Sequence, residues 1–248
     1  MPAAGQYLIA IPVYDGVDLL DVSAPYELFN WMTLIEPQHN LDAPRRAVRL
    51  ISLDGPSITT RDGMTIGGDL PTFNQHADQI SLLWIPGGEP SDLQRLMVDP
   101  RRMSWLLQQG EAAQYCASVC EGALLAAAAG LLDGYSATTH WAFIACLKLF
   151  SRVKVVEGYP RYFRDRQRIT GGGISSGLDE ALAIIALIAG DLVAQKVQLN
   201  IQYNPCPPFT SGDPSVAKPP VYTPGAGNTC NTALAETIAN VLKRTGPS

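Results

Sequence analysis

Residues 113–132 read Ala-Gln-Tyr-Cys-Ala-Ser-Val-Cys-Glu-Gly-Ala-Leu-Leu-Ala-Ala-Ala-Ala-Gly-Leu-Leu. A β-like stretch from Gln114 to Val119 stops at Cys120, and an alanine- and leucine-rich helix begins at once. A side chain at such a junction stands on a sharp turn at the carboxyl end of a strand, the geometry by which nucleophile elbows expose their attacking atom. It also faces the start of a helix, whose partial positive charge favours a thiolate. Gly122 suits the turn because a side chain there would crowd the neighbouring strand. Cys120 is therefore the candidate nucleophile.

On either side of this junction, short apolar runs alternate with helical segments. Tyr7 to Val13 reads as a first strand, followed by a loop through Asp21 and a helix from Ser23 to Ile35. Ala47 to Leu53 reads as a second strand, and Ile58 to Ile66 as a hairpin around Arg61-Asp62-Gly63. Ile80 to Ile85 is a strand ended by Pro86-Gly87-Gly88, and a helix pair runs from Ser91, as N-cap, to Gln109 with a break at Asp99-Pro100. Beyond the junction, Thr139 to Phe150 reads as helix and Val153 to Val156 as strand. Tyr162 to Thr170 reads as a hairpin and Leu178 to Gln195 as one long helix. The Pro/Gly-rich segment Asn204 to Gly227 is expected to be an ordered surface loop, with a final helix from Thr229 to Arg244. This order implies one α/β domain over residues 1–248, with a mainly parallel sheet and helices on both faces.

At 248 residues the chain can bury roughly 70% of its unfolded surface, so it needs no disulfide or metal staple. A net charge of −5 with scattered Lys and Arg gives nucleic-acid binding little electrostatic support. The one arginine cluster, Arg161, Arg164, Arg166 and Arg168, reads as a solvated hairpin face. The longest apolar runs fall short of the ~20 residues that span a bilayer, and Tyr7 to Val13 is too short for a secretory signal. Five cysteines at irregular spacings read as reduced thiols of a cytoplasmic protein, with Cys116 and Cys146 as small core residues.

In such a sheet, ligands bind outside the carboxyl ends of the strands. The Asp15–Asp21 loop, the Pro86-Gly87-Gly88 turn and the Cys120 elbow should converge there. Gly87 and Gly88 can present backbone N–H groups to a developing negative charge. Of Asp15, Asp18 and Asp21, two are expected to cap the next helix, while Asp21 is the acid/base candidate beside the thiol. His140 is read either as an accessory proton carrier or as a helix-capping residue. The histidines and cysteines lack metal-ligand spacing, so no metal and no other cofactor is expected. Gly171-Gly172-Gly173 matches no phosphate-loop pattern and reads as close strand–helix packing.

Together these segments resemble the ThiJ/PfpI superfamily, and within it the isonitrile hydratase branch. The resemblance is carried by Asp18-Leu-Leu-Asp21-Val-Ser-Ala-Pro25, Ile85-Pro-Gly-Gly88, Ser118-Val-Cys-Glu-Gly-Ala123 and Ala127-Ala-Ala-Gly-Leu-Leu132. It continues in Ala137-Thr-Thr-His-Trp141, Ile169-Thr-Gly-Gly-Gly-Ile174 and the stretch from Val197 through Pro207-Pro-Phe209. It implies a flavodoxin-like three-layer sandwich, a homodimer and a small-molecule substrate, with no cofactor. It further implies that the Cys120 thiolate attacks an isocyanide carbon, that water converts the thioimidate to an N-formamide, and that Asp21 manages protons. Backbone N–H groups near Gly87, Gly88 and Glu121 would hold the substrate's polar end. Glu121 is a departure, since the hydratases carry Thr there. It also separates the chain from PfpI-type peptidases, which place His after the nucleophile. Glutamine amidotransferases need a His–Glu pair late in the chain, and no His follows His140. Regulators with an appended helix-turn-helix need more chain beyond residue 200. Two other outcomes are a redox-responsive, stress-protective protein with an oxidisable Cys120, and a glyoxalase-like enzyme using His140.

Overall fold

Every residue of β1 (Tyr7–Val13) except Tyr7 is buried, as expected of a central parallel strand covered on both faces. The computed structural model describes residues 6–76 and 78–245. After β1 come α1 (Leu19–Ile35), β2 (Arg46–Ser52), a hairpin of β3 (Ser57–Thr59) and β4 (Thr65–Gly67), and β5 (Leu82–Ile85). Helices α2 (Pro90–Met97) and α3 (Pro100–Ala112) lead to β6 (Tyr115–Ser118) and α4 (Gly122–Ala128). Then follow β7 (Ser136–Ala137), α5 (Ile144–Leu147), β8 (Lys154–Val155), β9 (Tyr162–Asp165) and β10 (Arg168–Gly171). The last helices are α6 (Ser176–Ala189), α7 (Asp191–Asn200) and α8 (Thr232–Thr245).

The main sheet has the order β2-β1-β5-β6-β10-β9, parallel except for edge strand β9. Helices α1, α6 and α7 pack together on one face, and α2, α3, α4 and α8 on the other. The chain moves outward from β1 to β2 and returns to β5, so the crevice at a topological switch point opens outside the carboxyl ends of β1 and β5. The Cys120 elbow follows β6, the next strand along.

Several boundaries differ from the sequence reading. Helix α1 starts at Leu19, so Asp21 lies in its first turn rather than in a loop. Pro25 sits inside that helix and has no N–H for the carbonyl four residues back. That carbonyl belongs to Asp21, and it accepts the indole N–H of Trp84 at 3.0 Å instead. The expected long helix from 178 to 195 is two, divided at Gly190, whose φ of 89° ends α6. Ser91 is not an N-cap. Pro90 opens α2 after Glu89, while Asp99 caps α3 through the N–H groups of Arg101 and Arg102. The 139–150 segment holds only a 3-10 turn at Trp141–Phe143 and the short α5.

Two side-chain expectations are corrected. Arg168 is buried rather than solvated. Its guanidinium donates to the carbonyls of Leu131 (2.8 Å) and Gly110 (3.4 Å), pairs with Glu111 and lies over the Tyr135 ring, so its donors are satisfied indoors. Cys146 and Cys230 form a disulfide, with Cα atoms 4.7 Å apart, that ties the segment before α8 to α5. The cytoplasmic expectation therefore loses the support it drew from reduced thiols. The loop of residues 204–227 contacts the body where Tyr222 meets the Trp141 ring.

Gly122 is where the fold leaves least room. A Cβ there would lie 2.1 Å from the Ile85 carbonyl oxygen and 2.9 Å from the Pro86 carbonyl carbon. Gly122→Ala is expected to cost at least the ~1–3 kcal/mol of an overpacked core, seen as a drop in Tm. Gly212→Ala, with open space around it, should stay within about 0.5 kcal/mol.

Candidate active site

Cys120 is a non-glycine residue with φ 56°, a left-handed conformation that costs on the order of 1–3 kcal/mol and needs surrounding support. Two hydrogen bonds supply it. The Cys120 N–H donates to the Gly172 carbonyl at 2.9 Å, and the Thr139 hydroxyl donates to the Cys120 carbonyl at 2.7 Å. Thr139 thus connects the segment before His140 to the elbow. The Pro86-Gly87-Gly88 turn closes against the same place. A Cβ on Gly87 would meet Glu121 Oε2 at 2.6 Å and the Cys120 Cβ at 2.9 Å. Tyr14 steadies this turn by donating its hydroxyl to the Pro86 carbonyl at 3.0 Å.

Three carboxyl groups surround the sulfur. Glu121 is hydrogen-bonded to the Cys120 thiol, and burial lifts its pKa to about 7 against the opposing pull of that bond. Asp21 is fully buried. Its Oδ2 accepts the Gly87 N–H at 2.9 Å while Oδ1 has no hydrogen-bond partner, and burial followed by the Asp18 charge raises its pKa well above the carboxylate range. Asp18, also buried, is ion-paired with Arg61 at 2.6 Å. That contact lacks hydrogen-bond alignment, so neither Asp18 oxygen has a hydrogen-bond donor. Burial raises Asp18 despite the guanidinium.

The thiol responds to this company. Burial, then the charges of Asp21 and Glu121, push Cys120 well above its ordinary value. The expectation of a dipole-stabilised, exposed thiolate is corrected accordingly. α4 has only seven residues, Cys120 is fully buried, and carboxyl groups outweigh the helix end. Cys120 rests as a thiol.

The other expected residues fall as follows. The Gly87 N–H is given to Asp21, and Gly88 bridges back to Val17. His140 caps the 3-10 turn by accepting the Ala142 N–H on Nδ1 at 3.2 Å, and burial lowers its pKa. Its ring lies 2.8 Å from where a Cβ of Gly173 would be. Gly171 packs on α6, where a Cβ would strike Glu180 Oε2 at 2.2 Å. Glu180 is wholly buried with both oxygens unpartnered, and burial, then Asp21, raises it. Asp15 is not a helix cap. Its carboxylate accepts the Thr59 N–H at 2.8 Å, while Asp18 sits at the N-cap position of α1 without making a capping bond.

Sequence reasoning missed the Asp18–Arg61 pair and Thr139. In the sequence Asp18 reads as one of the capping group, and Arg61 only as part of a turn. Among the described residues, ligand atoms of Asp18, Cys120 and Glu121 lie within 4.8 Å of one another, a donor set that could cradle a cation. Here the Arg61 guanidinium supplies positive charge to it.

The isonitrile hydratase of Pseudomonas putida is 33% identical over 209 residues, covering 84% of each chain. The crystal structure of a ThiJ/PfpI family protein from Pseudomonas syringae superposes with a TM-score of 0.77 at 30% identity, over 97% of this chain and 89% of that one. Drosophila melanogaster DJ-1beta shares the fold, with a TM-score of 0.68 at 16% identity over 79% of this chain and 98% of its own. Residues 8–187 match the model of the DJ-1/PfpI family. The flavodoxin-like sandwich, the elbow and this match agree, and the chain belongs to the DJ-1/PfpI family.

Proposed function

We propose that this protein hydrates isocyanides to N-formamides, with Cys120 as nucleophile and Glu121 as the group that carries its proton. The observation carrying this reading is the Cys120–Glu121 hydrogen bond, made by a carboxyl whose pKa of about 7 leaves both protonation states populated at neutral pH. The likeness to the isonitrile hydratase of Pseudomonas putida supplies the substrate class.

The chemistry suits a buried thiol. An isocyanide's terminal carbon accepts both a nucleophile and a proton. As sulfur bonds to that carbon, the S–H proton passes to Glu121 and from there to the same carbon, leaving a thioimidate. Water then adds to the thioimidate carbon, giving one proton to Glu121 while Asp21 protonates nitrogen. As the intermediate collapses, its hydroxyl proton passes to Asp21, Glu121 returns its proton to the departing Cys120 sulfur, and the N-formamide is released. No free oxyanion need accumulate, which accords with the Gly87 N–H being engaged by Asp21. Glu121 thereby takes the place of a Thr without idling the elbow.

The redox-responsive reading has the burial of Cys120 against it, since oxidation follows exposure and thiolate character. The glyoxalase-like reading needs a free His140, whose Nδ1 already accepts a backbone bond. No helix among the described residues is long and apolar enough to cross a membrane.

Two outcomes are expected with cyclohexyl isocyanide followed at its infrared stretch. Cys120→Ala should abolish formamide production; turnover at the parent rate in that variant would remove the covalent route. In the parent, kcat/KM should rise with pH to a plateau above about 7, because only the Glu121 carboxylate can accept the thiol proton. Glu121→Gln should lose roughly 10²–10⁴-fold in rate and that rising limb with it. An unchanged limb in Glu121→Gln would assign the base elsewhere.

A further inference from the structure

A cavity of about 560 Å³ opens beside the site, lined by Asp15, Gly16, Thr59, Thr60, Arg61, Glu89 and Asp92. Arg61 faces this cavity and also grips Asp18, whose carboxylate lies within 4.8 Å of both the Cys120 sulfur and a Glu121 oxygen. A single ion pair therefore stands between the cavity and the nucleophile. The Arg61 side chain is 38% exposed, its Nη1 lies 2.6 Å from a buried Asp18 oxygen without hydrogen-bond alignment, and its Nε also donates to exposed Asp62 at 3.4 Å. The backbone beneath is firmer, with the Arg61 N–H donating to the Val17 carbonyl at 3.0 Å. Moving the side chain would uncover the buried carboxyl oxygens of Asp18, which have no hydrogen-bond partner.

The cavity's charge is one-sided. Its one lining cation is shared between Asp18 and Asp62, and Asp92 is paired with Arg95. Asp15 and Glu89 remain without an ion-pair partner among the described residues. Negative potential in a concave, partly enclosed space concentrates cations and repels anions.

We propose that this cavity is the antechamber to Cys120, admitting neutral and cationic small molecules and excluding anionic ones, with Arg61 as its inner door. The proposal rests on Cys120 being the reacting group and narrows its substrates to uncharged isocyanides or those bearing an ammonium group. Binding draws Arg61 away from Asp18 and opens the last step to the sulfur.

Methanethiosulfonates test this without relying on isocyanide turnover. Each forms a disulfide with the thiol and releases methanesulfinic acid, and each can carry a trimethylammonium or a sulfonate. Rates at Cys120 and at the exposed Cys206 are read peptide by peptide on the intact chain. The cation-to-anion rate ratio at Cys120 should exceed that at Cys206 by about tenfold or more. Glu89→Gln should lower the Cys120 ratio by about threefold, whereas Asp42→Asn, on an exposed loop away from the cavity, should leave it unchanged. Arg61→Ala should speed both reagents. Equal ratios at the two cysteines would overturn the charge selection, as would a ratio unmoved by Glu89→Gln. Cys120 resisting every reagent in both parent and Arg61→Ala would overturn the door. Absence of isocyanide hydration alone would remove the proposed reaction and leave these rates standing.

Discussion

The end of β5 and the start of α4 approach so closely that only glycine fits between them. Gly122 lies against the Ile85 carbonyl, and Gly87 lies against Cys120 and Glu121. That closeness puts the Gly87 N–H within reach of Asp21 and brings the Glu121 carboxyl onto the sulfur, while the Gly172 carbonyl and the Thr139 hydroxyl hold Cys120 in its left-handed conformation. Pro25 adds a second constraint from the other side. By leaving the Asp21 carbonyl unpaired within α1, it allows Trp84 of β5 to fasten the first helix to the sheet.

The consequence is electrostatic. Asp18, Asp21 and Glu121 are gathered around one thiol in a space from which water is largely excluded, with Arg61 as the nearby cation. Like charges in a poorly solvated space favour neutral forms, so the site stores protons rather than a thiolate. Nucleophilic attack must then be coupled to proton transfer. Glu121 is suited to that coupling because it alone of the three touches the sulfur through a hydrogen bond and titrates near neutrality.

Much of this architecture was legible in the sequence because it rests on local pattern. Strand and helix alternate in period, glycines mark the turns, and Cys120 falls where one pattern gives way to the other. The convergence of the segments after β1, β5 and β6 follows from parallel topology alone. What stayed hidden depends on partners distant in the chain. Arg168 resembles its solvated neighbours until the Leu131 carbonyl and Glu111 are brought to it. Cys146 and Cys230 are separated by 84 positions, and Asp18 looks like a cap until Arg61 folds over it. The state of the thiol is hidden for the same reason: the helix end is visible in sequence, whereas the depth of burial is not.

The central claim is that Glu121 titrates near neutrality while bonded to Cys120. Isotope-edited infrared titration of the glutamate carboxyls, with Glu121→Gln as the difference reference, measures this directly. A protonated carboxyl band lost with a midpoint near 7, and displaced in Cys120→Ala, is the predicted result. A midpoint near the ordinary ~4.3 of a solvated glutamate would contradict it.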